Sequence, residues 1–269
     1  DEIFGLYSEL YEIACKEDDT RLKTFADNQF YGRFLELPAD VVGYNRYFGW
    51  YKEAGSAENF GEWLELYHNE KEKRPVCLSE YGGGGAISQH KDNVDWESDI
   101  DPVGVRHYEN YQSQLHEILW KQFSVRKYLW AEFIWCMFDF ASYGRTEGDT
   151  KSLNDKGLCT RERIPKDVYF FYRSVWSSEK TVYITERRHE FRACDVPFVK
   201  VYSNADAVEL CINDVSHGRI SRCELPNDES TVFVWENIKI KPDTKNKICA
   251  KAYFSDGTSR TDYAFWTGK

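Results

Sequence analysis

The eight cysteines of this sequence include no Cys-x-x-Cys pair, and its six histidines are scattered rather than set at ligand spacing, so no structural zinc site is expected. It also lacks a run able to cross a bilayer: the one extended apolar stretch, LWAEFIWCMFDFAS, is short and interrupted by Glu132 and Asp139. It has no excess of positive charge. The formal net charge of -10 gives phosphate backbones and anionic lipid nothing to attract, so neither nucleic acid nor a membrane is an expected partner. No low-complexity segment and no cofactor motif stands out. No signal peptide precedes Asp1 and no Met begins the chain, so a longer natural protein is expected. Periplasmic, secreted and cytoplasmic origins all remain open.

What is present is core-forming material. With 269 residues, 42% of them hydrophobic, the expectation is two domains. Cys77 and Cys136 lie in apolar strand patterns and read as small buried hydrophobes. Aromatic residues make up 16% of the chain, and their faces serve either to fill cores or to stack on sugar rings.

The hydrophobic period changes partway along. Ile3, Leu6, Tyr7, Leu10, Ile13 and Ala14 recur at helical spacing; RLKTFAD and ADVVGYNRYFGWY then read as strands. A helix starts at a Ser56 cap with Phe60, Trp63, Leu64 and Tyr67 on one face, and Arg74 to Tyr81 is the next strand. A long helix carrying Tyr108, Tyr111, Leu115, Ile118 and Leu119 follows. YLWAEFIWCMFDF reads as a strand covered on both faces. A last helix holds Tyr169, Phe170, Tyr172 and Trp176. This alternation predicts a parallel sheet of barrel or doubly wound type. Beyond Ser178 the period is two: TVYIT, FVKVYS, AVELCIN, RISRCEL, TVFVWENI, KNKICAKAYF and RTDYAFW are about seven short strands. Asn213-Asp214, Pro226-Asn227-Asp228 and Asp256-Gly257 supply turns between them. That is the pattern of an immunoglobulin-like sandwich, with Trp235 and Trp266 in its core. The predicted division is 1–178 and 179–269.

Glu80 stands where the strand PVCLSEY gives way to four glycines. In a (β/α) barrel the chemistry is done at the C-terminal strand ends, and Gly82 to Gly85 are read as making room for a substrate close to the backbone. The neighbouring strand end offers Asn45, Tyr47, Trp50 and Tyr51, and the strand after it Trp135 and Asp139. Aromatic platforms and hydroxyls around one carboxylate point to a sugar site. Taken singly, each has a plainer reading: a loop carboxylate for Glu80, core aromatics for Tyr47 and Trp135, an anchor for Asp139, and a solvated or salt-bridged helix start for Arg161, Arg163 and Lys166.

DVVGYNRYFGWY, RPVCLSEYGGG, FIWCMFDFAS and NDKGLCTRERIPKD, in that order and spacing, resemble glycoside hydrolase family 2, the family of β-galactosidases, β-glucuronidases and β-mannosidases. The resemblance implies an α/β fold, namely a partial (β/α)8 barrel of roughly strands 5 to 8, followed by an all-β immunoglobulin-like sandwich. It implies a retaining exo-β-glycosidase with Glu80 as nucleophile, Tyr47 donating a hydrogen bond to it, and Trp135 walling the sugar subsite; Asn45 and Tyr51 are further candidate substrate contacts. A hydroxyl donating to a carboxylate favours its charged form, which a nucleophile requires.

A second carboxylic acid should stand about 5 to 5.5 Å from the nucleophile. In the family it closes an earlier strand, in an Asn-Glu pair, and that strand has no counterpart here. Asn69-Glu70 lies at a helix end and reads as surface; Glu132 sits too deep on its strand and reads as structural. The expected partners are therefore a carbohydrate substrate and an N-terminal remainder of the same enzyme, with a homo-oligomer also open, since unpaired sheet edges associate. The chain alone is expected to be inactive.

Asn154 and Lys156 form an Asn-x-Lys that, in the β-glucuronidases of the family, binds the substrate carboxylate. The same stretch also occurs in its β-galactosidases, with the Asn capping a turn and the Lys pointing outward. An arginine often precedes the Asn in β-glucuronidases; here Thr150 stands four residues before it. The reading places β-galactoside first and β-glucuronide second. A non-catalytic carbohydrate-binding or assembly module, and a different barrel hydrolase using Glu132 as its acid, are the competing classes.

Overall fold

Four parallel strands, with helical crossovers between the second and third and between the third and fourth, make the sheet that the first period predicts. In the computed structural model, which describes residues 2–28, 35–226 and 230–269, they are β1 (Ala26–Asp27), β2 (Val42–Asn45), β3 (Val76–Tyr81) and β4 (Glu132–Ile134), adjacent in that order. The helices are α1 (Glu2–Glu17), α2 (Phe60–Leu66), the short α3 (Trp96–Asp99) and α4 (Glu109–Phe123). Sequential parallel pairing of this kind is half of a (β/α)8 barrel.

The chain divides into two compact units, Asp1–Gly83 with Leu115–Met137, and Gly84–Gln114 with Phe138–Lys269. In the first, Val76, Cys77 and Leu78 are consecutive and all buried, as a strand covered on both faces requires. Phe60 and Leu64 of α2 and Leu115, Leu119 and Phe123 of α4 are buried, and the Phe123 ring meets those of Phe60 and Tyr81 edge-on at 5.2 and 4.9 Å.

Two expectations are corrected in this unit. The run from Tyr128 to Phe140 is not one strand covered on both faces: only Glu132–Ile134 pairs with β3, Cys136 is half-buried outside it, and Phe133 is 53% exposed. Among the described residues no strand pairs with the far side of β4. α1 has the predicted helical period but buries no residue, and Ile3, Leu6, Leu10 and Ile13 are each about half exposed.

The second unit contains the antiparallel pair β5 (Phe140–Ala141) and β6 (Leu153–Asn154), then α5 (Asp167–Trp176) and the sandwich. α5 buries Val168, Phe171 and Tyr172, and Trp176 at its end is exposed. The sandwich strands are β7 (Val182–Ile184), β8 (Phe191–Arg192), β9 (Asp195–Ser203), β10 (Ala207–Ile212), β11 (Val215–Ser221), β12 (Val232–Lys239), β13 (Lys245–Tyr253) and β14 (Ser259–Gly268). They form a sheet ordered β11-β10-β13-β14-β8 and one ordered β12-β9-β7. Alternate residues such as Leu210, Ile212, Ile248, Ala250, Phe233, Trp235 and Trp266 fill the space between them. β8 went unpredicted because its two residues are too short to show a period.

Asn213 and Asp214 join β10 to β11 with φ of 50° and 65°, the conformation of a two-residue hairpin turn. Of the turn expected at Pro226-Asn227-Asp228, Asn227 and Asp228 lie outside the described residues. The predicted strand RISRCEL stops at Ser221, which caps a single helical turn reciprocally with Glu224.

Candidate active site

β3 carries one residue more than its neighbours need. Tyr44 pairs with Leu78 but Asn45 pairs with Glu80, and on the other side Leu78 pairs with Glu132 but Tyr81 with Ile134. Both registers slip over the same residues, so the bulge belongs to β3, and it turns the strand end so that Glu80 lies opposite Asn45. Gly43 makes this possible: a Cβ there would stand 2.8 Å from the Cβ and Oγ of Ser79. Ser79 Oγ donates to Asn45 Oδ1 at 2.7 Å.

Tyr47 donates its hydroxyl to Glu80 Oε2 at 2.7 Å. Burial first, and then the hydrogen bond and charge of Glu80, push the phenol far above its ordinary value, so Tyr47 remains a proton donor throughout the working pH range. The Tyr51 ring meets that of Tyr47 edge-on at 5.4 Å.

Arg46, which the sequence reading passed over, pins the strand ends from beneath. Its backbone N–H donates to Glu80 O at 2.9 Å, and its fully buried guanidinium donates to Asp27 O at 2.9 Å and Asn45 O at 2.8 Å. The guanidinium lies 5.0 Å from the ring centroids of Tyr44 and Trp63. Three strands are thus tied together directly under the carboxylate. A lone arginine between two aromatic residues at a strand end was the available signal.

The glycine run is packed rather than open, which corrects its expected role. Residues 81 to 86 are all buried. A Cβ on Gly83 would stand 2.7 Å from Leu115 and 2.8 Å from Trp50, and Gly82, at φ 134°, faces His116 and the Trp135 carbonyl. Glycine is required because this backbone runs against side chains of the protein itself.

Substrate space opens instead on the β2 side, in a cleft of about 270 Å³ lined by Asn28, Asn45, Tyr47, Tyr51, Glu53, Ala54 and Glu80. Four predicted site residues converge there. Asn28 and Glu53 were missed, as exposed polar residues give no periodic signal. Trp135 is not among the lining residues; it is half-buried at the end of β4, its N–H bonded to Tyr81 O at 3.0 Å, and the peptide after it is cis.

Glu132 lies deeper on β4, opposite Leu78, and burial pushes its carboxyl up. Asn69 and Glu70 are exposed.

Asn154 and Lys156 belong to the second unit. Asn154 Oδ1 accepts from Lys156 N at 3.1 Å, so the asparagine does cap its turn, but Lys156 is 3% exposed and does not point to solvent. Asp155 between them meets His107 Nδ1 at 2.7 Å. Burial acts to raise the Asp155 carboxyl, yet the His107 bond and the charges of His107, Lys166 and Lys156 outweigh it and hold the group low. Of the two readings of Lys166, solvated or salt-bridged, the second holds: it is wholly buried and paired with Asp139 at 2.8 Å. Burial nevertheless pushes the Asp139 carboxyl up to about 6, against the pull of Lys166 and the Gly157 N–H.

Asp92, Glu186 and His189 could offer a metal three ligand atoms within 4.8 Å of one another. Arg192 already pairs with both carboxylates there, so the cluster has its cation.

The four parallel strands, with a carboxylate at the end of the third, have the order of half a (β/α)8 barrel. Residues 5–181 match the family described as Glycosyl hydrolases family 2, TIM barrel domain, and residues 196–260 match a domain of unknown function. The chain belongs to glycosyl hydrolase family 2. It is similar to a β-glucuronidase of Bacteroides fragilis, 34% identical over 234 residues, covering 86% of this chain and 32% of that protein. It is also similar to human β-glucuronidase, 30% identical over 185 residues, covering 64% of this chain and 26% of that one. Among solved structures, an FMN-binding β-glucuronidase from Facaelibacterium prausnitzii L2-6 superposes with a TM-score of 0.86 at 31% identity, over 100% of this chain and 39% of that one. A Bacteroides fragilis protein with a provisional β-galactosidase description gives 0.86 at 28%, over 99% and 38%. The chain spans about a third of the length of the curated relatives it matches.

Proposed function

We propose that this chain is part of a retaining β-glucuronidase, with residues 1–178 as the C-terminal half of the barrel and 179–269 as the sandwich that follows it. The observation that carries the reading is the 2.7 Å hydrogen bond from Tyr47 to Glu80 at the bulged end of β3. The order of sugars expected from the sequence is reversed. The named relatives favour glucuronide over galactoside, and the buried Asn154 and Lys156 fit an anionic sugar better than a neutral one.

In this mechanism Glu80 attacks the anomeric carbon while a carboxylic acid from the preceding barrel half protonates the departing oxygen. The glycosyl–Glu80 ester is then hydrolysed by water, which the same acid, now a base, deprotonates. Tyr47 holds the Glu80 oxygen in line and favours its ionised form. Asn45 and Tyr51 contact sugar hydroxyls in the cleft, and Lys156 with Asn154 holds the uronate carboxylate. The missing barrel half is the partner that supplies the acid and covers α1 and β4.

One observation favours the neutral sugar: Thr150 stands where β-glucuronidases of the family often carry an arginine. A panel of para-nitrophenyl glycosides on the full-length gene product and on this chain decides. The proposal expects glucuronide cleavage by the longer protein and none by this chain. Preference for a galactoside, or activity in this chain alone, overturns it.

A further inference from the structure

Lys166 has every proton committed and none left for chemistry. Its Nζ donates to Gly85 O at 2.6 Å, Asp139 Oδ1 at 2.8 Å and Asp155 O at 2.8 Å, the three donations an ammonium can make. Burying such a cation completely is unfavourable until its partners offset the lost hydration. A helix start at the surface needs no such expense, so the location of these three acceptors is what explains it.

All of them converge on the loop that carries Asn154 and Lys156. Asp155 O accepts from Lys166 and also from Gly85 N at 3.1 Å. Asp139 Oδ1 accepts from Lys166 and also from Gly157 N at 2.8 Å. The Asp155 carboxylate is held by His107, whose Nε2 meets Asp101 O at 3.1 Å. Gly157 has no room for a Cβ, which would meet backbone atoms of Phe138, Asp139 and Cys159. The backbone on both sides of Lys156, and the Asp155 side chain, are therefore fixed, with Lys166 the one group that joins the Gly85, Asp139 and Asp155 segments.

We propose that Lys166 is a positioning residue for recognition of an anionic sugar: it sets the Asp155 backbone so that Asn154 and Lys156 present their polar groups to the substrate carboxylate. This rests on the glucuronidase reading above. Lys166 makes no contact with substrate itself. The effect of losing it falls on the carboxylate alone, because a displacement of about 1 Å in a charged contact can cost on the order of 10²-fold.

The test uses the full-length enzyme and compares para-nitrophenyl β-glucuronide with the corresponding β-glucoside, which differs only in carrying CH2OH for the carboxylate. The variants are Lys166→Met, the charge-balanced pair Lys166→Met with Asp139→Asn, which avoids an orphaned carboxylate if the single variant does not fold, and Lys166→Arg. The expected result for the balanced pair is a kcat/KM for glucuronide lower by about 10- to 100-fold, mostly through KM, with the glucoside value changed less than about threefold. Adding Lys156→Ala to the pair should cost little more than Lys156→Ala alone, and Lys166→Arg should recover part of the discrimination. Equal losses on both substrates, or no loss on either, overturn the positioning role. If the unaltered enzyme itself does not prefer the glucuronide, the functional reading fails and this inference with it.

Discussion

Tyr47 and Glu80 meet across two parallel strands, hydroxyl to carboxylate at 2.7 Å, because the bulge in β3 sets Glu80 opposite Asn45, two residues before Tyr47. Replacing Tyr47 with Phe removes the donor and leaves the ring. Its expected effect in the full-length enzyme is a fall in kcat of about 10²-fold with unchanged circular dichroism. Glu80→Gln should lower it by more than about 10³-fold, since the amide cannot replace the carboxylate that forms the ester. Steady-state kinetics on both variants checks this.

The packed glycines make a stability prediction. Gly83→Ala forces a methyl against Leu115 and Trp50, two buried side chains on rigid elements, so urea denaturation of this chain should show a loss of about 1–3 kcal/mol. A glycine serving only to admit substrate would tolerate alanine without loss.

Asp139 predicts a pH dependence. Its carboxyl is raised to about 6 in the folded protein against 3.8 as the ordinary value, so its contribution is fully present below about pH 4 and is lost as pH rises through 6. Relative to Asp139→Asn, the unaltered chain should lose stability across that window, by on the order of 3 kcal/mol. Denaturation midpoints of the two proteins at pH 4, 5, 6 and 7 test it; a constant difference would contradict the burial account.

The exposed face of α1 predicts a dependence on context. Leu10→Ser should alter the stability of this chain by less than about 0.5 kcal/mol, because nothing buries Leu10 here. If the other barrel half covers that face in the full-length enzyme, as proposed, the same change should cost about 2 kcal/mol or more there.

The elements that could be read from sequence were those whose period is set by burial. Val76 to Leu78 are buried on both faces and read as a barrel strand; Leu210, Ile212, Ile248 and Ala250 alternate and read as a sandwich. Glu80 and Tyr47 were legible because a carboxylate and a phenol at adjacent strand ends have few structural uses together. Period does not by itself give burial, as β4 and α1 show with Phe133, Leu6 and Leu10 exposed. For Lys166 the salt bridge was among the readings but the burial was not, since only the convergence of Gly85, Asp139 and Asp155 from distant positions buries a lysine at a helix start. The bulge at Ser79 has no composition signal at all, since it exists only as a difference between two registers.

The most direct test of the central claim is covalent trapping in the full-length enzyme with a 2-deoxy-2-fluoro-β-glucuronyl fluoride, followed by peptide mass spectrometry. The account predicts a single sugar adduct on the peptide containing Glu80, lost in Glu80→Gln. An adduct on any other carboxylate, Glu132 or Glu53 included, or persistence of the adduct in Glu80→Gln, would contradict it.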